Sequence, residues 1–193
     1  MCIRDSINAS RLQSLIADLI LHSGIPQNRS HLAFHFWPET NESQARTNLR
    51  NLLHQLRSVL PDPDLYIDSD IQTIQWRSES EFTLDVMEFK NSISAVGEVL
   101  SHYNTALVQE RLEKAVALYK GDLLPGCYDE WITPLREEYR QIYIDALERL
   151  IKLLEDKLNY QSAIEFARRL LQYDPLRETS YQHLIRLYAC LLY

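Results

Sequence analysis

Glycine is scarce in this chain: 4 residues in 193. Phosphate-cradling loops and nucleophile elbows are built on glycine, and neither motif occurs. Cysteine is nearly as rare. Cys2, Cys127 and Cys190 are odd in number, far apart and without metal-ligand spacing. That excludes a disulfide framework and a zinc ribbon, and it predicts reduced thiols in a cytoplasmic protein. No apolar run reaches the ~18 residues of a membrane span, and no signal peptide is visible, so no membrane association is expected. Paired catalytic carboxylates are missing too. The six histidines are scattered, and His31 and His35, spaced i, i+4, lack a third ligand. These gaps predict no enzyme, no cofactor and no metal. An excess of positive charge is also missing. The formal net charge is -7, which argues against a general polyanion binder.

One further absence is local. Residues 43–60, SQARTNLRNLLHQLRSVL, contain no carboxylate, although the chain carries 27 acids. Glu42 stands just before them. A locally basic site inside an acidic protein is physically reasonable, because fields are screened within roughly 8–10 Å at physiological salt.

What is present is mostly helical pattern. Leu12, Leu15, Ile16, Leu19 and Ile20 mark an amphipathic helix over 11–22, stopped by Gly24 and Pro26. A short second helix is predicted with Ser30 as N-cap, Leu32, Phe36 and Trp37 inward, and Pro38 at its end. The third helix is predicted from Asn41, which with Gln44 forms a capping box. Its apolar stripe is Ala45, Leu49, Leu52, Leu53, Leu56 and Leu60. Three helices of this spacing make a helix-turn-helix pattern. After the breaker PDPD, LYIDSDIQTIQW reads as two strands turning around Asp68-Ser69-Asp70, the outline of a wing. EFTLDVMEF is expected to add an edge strand and to start a helix near Asp85. Asp68, Asp70 and Asp85 are expected to serve turns and caps.

The third helix carries the functional signal. Opposite its apolar stripe lie Ser43, Thr47, Arg50, Asn51, His54 and Arg57, with Arg46 on the flank. Arg reads guanine edges or holds phosphates, Asn reads adenine, and Thr contacts phosphate or the thymine methyl. Any solvated surface helix can present such a face. Its recognition position in a helix-turn-helix, with a wing following, favours DNA.

From about residue 90 the chain reads as helix, over 106–120, 130–157, 160–173 and 178–189. With Pro175 as its late proline, a 34-residue tetratricopeptide (TPR) unit places Leu147, Leu150 and Leu154 on one helix and Tyr160, Ala163 and Ala167 on the next. A following unit would put Tyr181, Leu184 and Tyr188 in register. Trp37 and Trp131 are expected in the core rather than as a stacking platform, and Tyr119, Tyr128, Tyr139 and Tyr143 are expected to pack between helices, with a groove lining as the alternative for some.

Several motifs together resemble a known family. HFWPETNESQARTNLRNLLHQLRSVL is similar to the DNA-binding region of antibiotic regulatory protein (SARP)-type bacterial activators. There a Trp-Pro-acidic turn precedes an Ala-Arg-x-x-Leu-Arg recognition helix, here Trp37-Pro38-Glu39, Ala45-Arg46 and Leu49-Arg50. ALYKGDLLPGCYDEWITPLREEYR and AIEFARRLLQYDPLRETSYQHLIRLYA resemble the bacterial transcriptional activator domain that follows in that family, and LDVMEF resembles the junction. The resemblance spans roughly residues 10–189. MCIRDS and CLLY at the ends resemble adapter-derived translations, so a fragment is expected, lacking the family's N-terminal strands and third TPR.

The resemblance implies a mainly α protein. A winged helix-turn-helix with a small β-hairpin wing over 7–84 would be followed by an all-α TPR-like helical repeat domain over 85–193. It implies a transcriptional activator that binds double-stranded promoter DNA through helix 41–60. Arg46, Thr47, Arg50, Asn51, His54 and Arg57 carry over by position as DNA contacts. RNA polymerase contact and homodimerisation are implied for the helical domain. The presumed wing tip is acidic, where a phosphate-facing wing prefers Arg or Lys. That and the negative net charge favour, as the alternative, a protein-interaction module; the family's habit of appending further domains gives a second alternative, the N-terminal regulatory part of a larger signalling ATPase.

Overall fold

The computed structural model describes residues 10–78, 83–100 and 104–192. They fall into two compact units: Met1–Phe82 with Leu124–Thr133, and Thr83–Leu123 with Pro134–Tyr193.

The first unit starts with α1 (Ser10–Leu21), β1 (Gln27–Asn28), α2 (Arg29–Phe36) and α3 (Glu42–Val59). A 3-10 turn at Pro63–Leu65 then leads to β2 (Ile67–Ser69) and β3 (Thr73–Trp76). The strands form one antiparallel sheet in the order β1-β3-β2. Leu15, Leu19, Phe36, Leu49 and Leu56 of the helices bury with Ile67, Ile74 and Trp76 of the sheet. Ile74 and Trp76 alternate with the half-buried Thr73 and Gln75, as the two-residue period of a strand requires. This is a winged helix-turn-helix, with β2 and β3 as the wing. Residues 124–133 complete the unit. Trp131 packs on its core, 6.1 Å from the His35 ring and 6.2 Å from Phe36, and Arg11 pairs with Asp129 at 2.7 Å.

Four local expectations are corrected. The second helix is capped by Asn28 rather than Ser30: the Asn28 side chain accepts from the Ser30 and His31 N–H groups. The cause is tertiary, because β1 pairs Asn28 with Thr73 and leaves it extended at the helix entrance. Asn41 caps α3 by accepting from the Gln44 N–H, but the box does not close, since the Gln44 amide donates to Asn48 instead. The wing turns at Asp70-Ile71-Gln72, with Asp68 and Ser69 in β2. Asp70 accepts from the Gln72 and Thr73 N–H groups, which fixes the turn two residues later than expected. Finally, Tyr128, expected to pack, is 92% exposed. The edge strand expected at EFTL lies partly outside the described residues, and Thr83 and Leu84 are in no strand.

The second unit holds α4 (Asp85–Leu100), α5 (Thr105–Leu118), α6 (Ile132–Asp156, its first turn grouped with the first unit), α7 (Tyr160–Tyr173) and α8 (Glu178–Leu192). Leu147, Leu150 and Leu154 of α6 are buried, as are Ala163 and Ala167 of α7. These are the TPR core positions, and the alanines admit close helix approach. In α8 the buried residues are Ser180 and Leu187. Tyr181 and Tyr188 lie instead on the outside, at 47% and 38% exposure.

Candidate nucleic-acid interface

Helix α3 follows from three local facts. Asn41 caps it, Glu42 sits in the first turn where the helix dipole favours an acid, and Arg57 sits in the last turn where it favours a base. Its stripe from Ala45 to Leu56 is buried, which turns the opposite side outward. Arg46, Thr47, Arg50, Asn51, His54 and Arg57 are all exposed.

These residues are not equivalent. Arg46 pairs with Glu42 at 2.6 Å and donates to the Ser30 hydroxyl at 3.0 Å, so part of its charge is already answered. Thr47 donates its hydroxyl proton to the Ser43 carbonyl at 2.9 Å, leaving its methyl and lone pairs outward. Arg57 donates to the Ser69 hydroxyl at 2.5 Å, which ties the end of α3 to the wing. Among the described residues Arg50 and Arg57 form no ion pair.

A concavity of about 190 Å³ lies between α2, α3 and the wing. Its walls are Arg29, Arg50, His54, Arg57 and Ser69, and Leu53 and Ile74 give it an apolar lining. The sequence did not point to Arg29. That residue opens α2, outside α3, and donates through Nη1 to the Asp70 carbonyl at 2.8 Å. Only the pairing of β1 with β3 brings it here. No carboxylate lines the concavity.

The wing's acids are engaged locally. Asp70 is held below the usual carboxylate range, first by the Thr73 N–H and then by the Gln72 N–H. Asp68 lies 3.9 Å from Arg77. The tip itself presents Ile71, at 95% exposure.

The remaining motifs hold no site. His31 and His35 stack on each other with ring centroids 6.4 Å apart, and His35 continues onto Trp131. Among the described residues no group of three or more His, Cys, Asp or Glu is placed to hold a metal, and no helix is long and apolar enough to cross a membrane.

A family model described as "Bacterial transcriptional activator domain" matches residues 84–191. No curated protein matches the sequence. Among solved structures, Mycobacterium tuberculosis EmbR in complex with a low-affinity phosphopeptide is similar in fold, with a TM-score of 0.81 at 18% identity. The similarity covers 95% of this chain and 49% of that one, so the chain spans about half the length of the structure it matches.

Proposed function

The chain belongs to the bacterial transcriptional activator domain family of SARP-type transcriptional regulators, and from that premise we propose that it binds promoter DNA through α3. One observation carries the proposal: the face with Arg46, Thr47, Arg50, Asn51, His54 and Arg57 is open to solvent and free of carboxylates beyond Glu42. The helix would enter the major groove. Its arginines would supply phosphate contacts and affinity, and Arg50, Asn51 and Thr47 would supply base preference. Residues 7–84 would be the DNA-binding domain and 85–193 the activator domain, acting in the cytoplasm without a catalytic step.

The test is a duplex-binding titration with the promoter next to the protein's own gene. Arg50→Ala is expected to weaken binding to that promoter by roughly 1–3 kcal/mol if Arg50 reads a base. A role confined to phosphate would lower affinity alike on every duplex. Unchanged binding to all duplexes would take Arg50 out of the interface.

A partner contact for the helical unit has its own support. Tyr181, Ile185, Tyr188 and Leu191 expose apolar surface along α8. In this reading the face serves dimerisation or RNA polymerase contact. An interaction module without DNA binding would keep that contact and fail the titration above.

A further inference from the structure

Arginines from two helices, α2 and α3, line the concavity, and no carboxylate lines it with them. Around the concavity beside α3 the partners of the guanidinium groups are neutral. Arg29 donates to a backbone carbonyl, that of Asp70, and Arg57 donates to a hydroxyl, that of Ser69. A guanidinium has five donors, so each keeps most of its hydrogen-bonding capacity; Arg57 forms no ion pair, and the Arg29 charge is felt only weakly by the Asp70 carboxylate, last among the causes that hold it low. Arg46 shows the contrast, since it spends its charge on Glu42.

The space suits a small anion. At about 190 Å³ it exceeds several times the ~30 Å³ share of one water molecule. Leu53 and Ile74 lower the local polarity beneath the charges, which strengthens their attraction for an anion. The hydrogen bonds to Ser69 and Asp70 restrain two long side chains before any ligand arrives. That reduces the entropy lost on binding.

We propose that this concavity is a clamp for one DNA phosphodiester. Arg29 and Arg57 are its arms, Arg50 and His54 complete its wall, and the wing holds the arms through Ser69 and the Asp70 carbonyl. The wing thus acts on DNA through α2 and α3, which reconciles its acids, Asp68 and Asp70, with a phosphate-binding surface. Ser69 is a positioning residue. The clamp rests on the proposed DNA binding by α3 and adds Arg29 to it.

The test uses the full chain and fluorescence anisotropy on the promoter duplex and on an unrelated duplex, between 50 and 200 mM salt. Arg29→Gln removes the charge while keeping a donor for the Asp70 carbonyl, so the wing's tether survives. The expected result is weaker binding by the same factor on both duplexes, with a log–log salt slope shallower by about 0.9. Across that salt range the affinity loss then shrinks by about 3.5-fold. Ser69→Ala is expected to weaken both complexes while leaving the slope unchanged, because no charge is removed; Ser69→Thr, which keeps the hydroxyl, should restore binding. Wild-type affinity and slope for Arg29→Gln, with Arg50→Ala still weakened, would overturn the clamp and leave α3 as the binding helix. An Arg29→Gln effect confined to one sequence would overturn the phosphate assignment. If the wild-type chain binds neither duplex at 50 mM salt, clamp and recognition helix fall together.

Discussion

Asp18 is a carboxylate inside the first unit's helical core, 4% exposed. Burial pushes its carboxyl above the usual range, and His22 only partly offsets this, with Nδ1 3.4 Å from the Asp18 carboxylate. One carboxylate oxygen, Oδ2, has no hydrogen-bond partner. The side chain of Gln27 and the charges of His35 and His31 pull in the same direction as His22, more weakly. The consequence for stability has a definite sign. The unfolded chain loses this proton first, near the ordinary aspartate value of 3.8. Stability from Asp18 is therefore complete below that pH and declines as pH rises through the higher folded value. Asp18→Asn abolishes the titration. The variant should melt above wild type at neutral pH, and the two curves should converge near about pH 3.5, where the unfolded carboxyl is also protonated. Thermal melts at a series of pH values measure this. A gap that stays constant with pH would mean that Asp18 does not change its proton affinity on folding.

At the scale of elements, the end of α6 shows both what a sequence can say and where it stops. Asn159 was legible as punctuation, and it caps α7 by accepting from the Ser162 N–H. The same residue closes α6: its N–H donates to the Leu154 carbonyl, while the Leu158 N–H donates to Glu155. This is a Schellman motif, and it requires a left-handed residue at Leu158, where φ is 59°. Leucine pays a steric cost there, and it is 70% exposed, so little packing compensates. Leu158→Gly should raise stability by about 0.5–1 kcal/mol, net of the glycine's greater unfolded-state entropy. Chemical denaturation measures it, and a loss of stability would show that the Leu158 side chain contributes packing that its exposure conceals. The amphipathic helices were readable because burial follows their period: the α3 stripe from Ala45 to Leu56 is buried as the pattern requires. Strand β1 was not. Gln27 and Asn28 are polar, only two residues long, and become a strand because Thr73 and Ile74 supply partners. The α2 cap at Asn28 and the arrival of Arg29 beside α3 both depend on that pairing. Hence helix α3 and its exposed polar face were legible in the sequence, and the concavity next to them was not.

Over the whole molecule, 27 acids outnumber 20 Lys and Arg, giving a formal net charge of -7. Such a protein gains little from long-range attraction to DNA. Under the proposed function, its affinity must come from contacts within a Debye length of roughly 8–10 Å. The proposed interface offers Arg29, Arg50 and Arg57, with Arg46 partly neutralised by Glu42. Three to four phosphate contacts imply a log–log salt slope of about -2.7 to -3.6 for one copy on a duplex. Affinity would then fall by roughly 40- to 150-fold between 50 and 200 mM salt, far less than for a protein built on many phosphate contacts. Weak electrostatics leaves discrimination to base contacts, so non-specific duplexes should compete poorly at physiological salt. Anisotropy titrations at several salt concentrations measure the slope directly. A value near twice that range would place two copies on one duplex, as the exposed apolar residues of α8 would permit. A slope shallower than about -1 is incompatible with an arginine-lined interface of this size, because even two released counterions would exceed it.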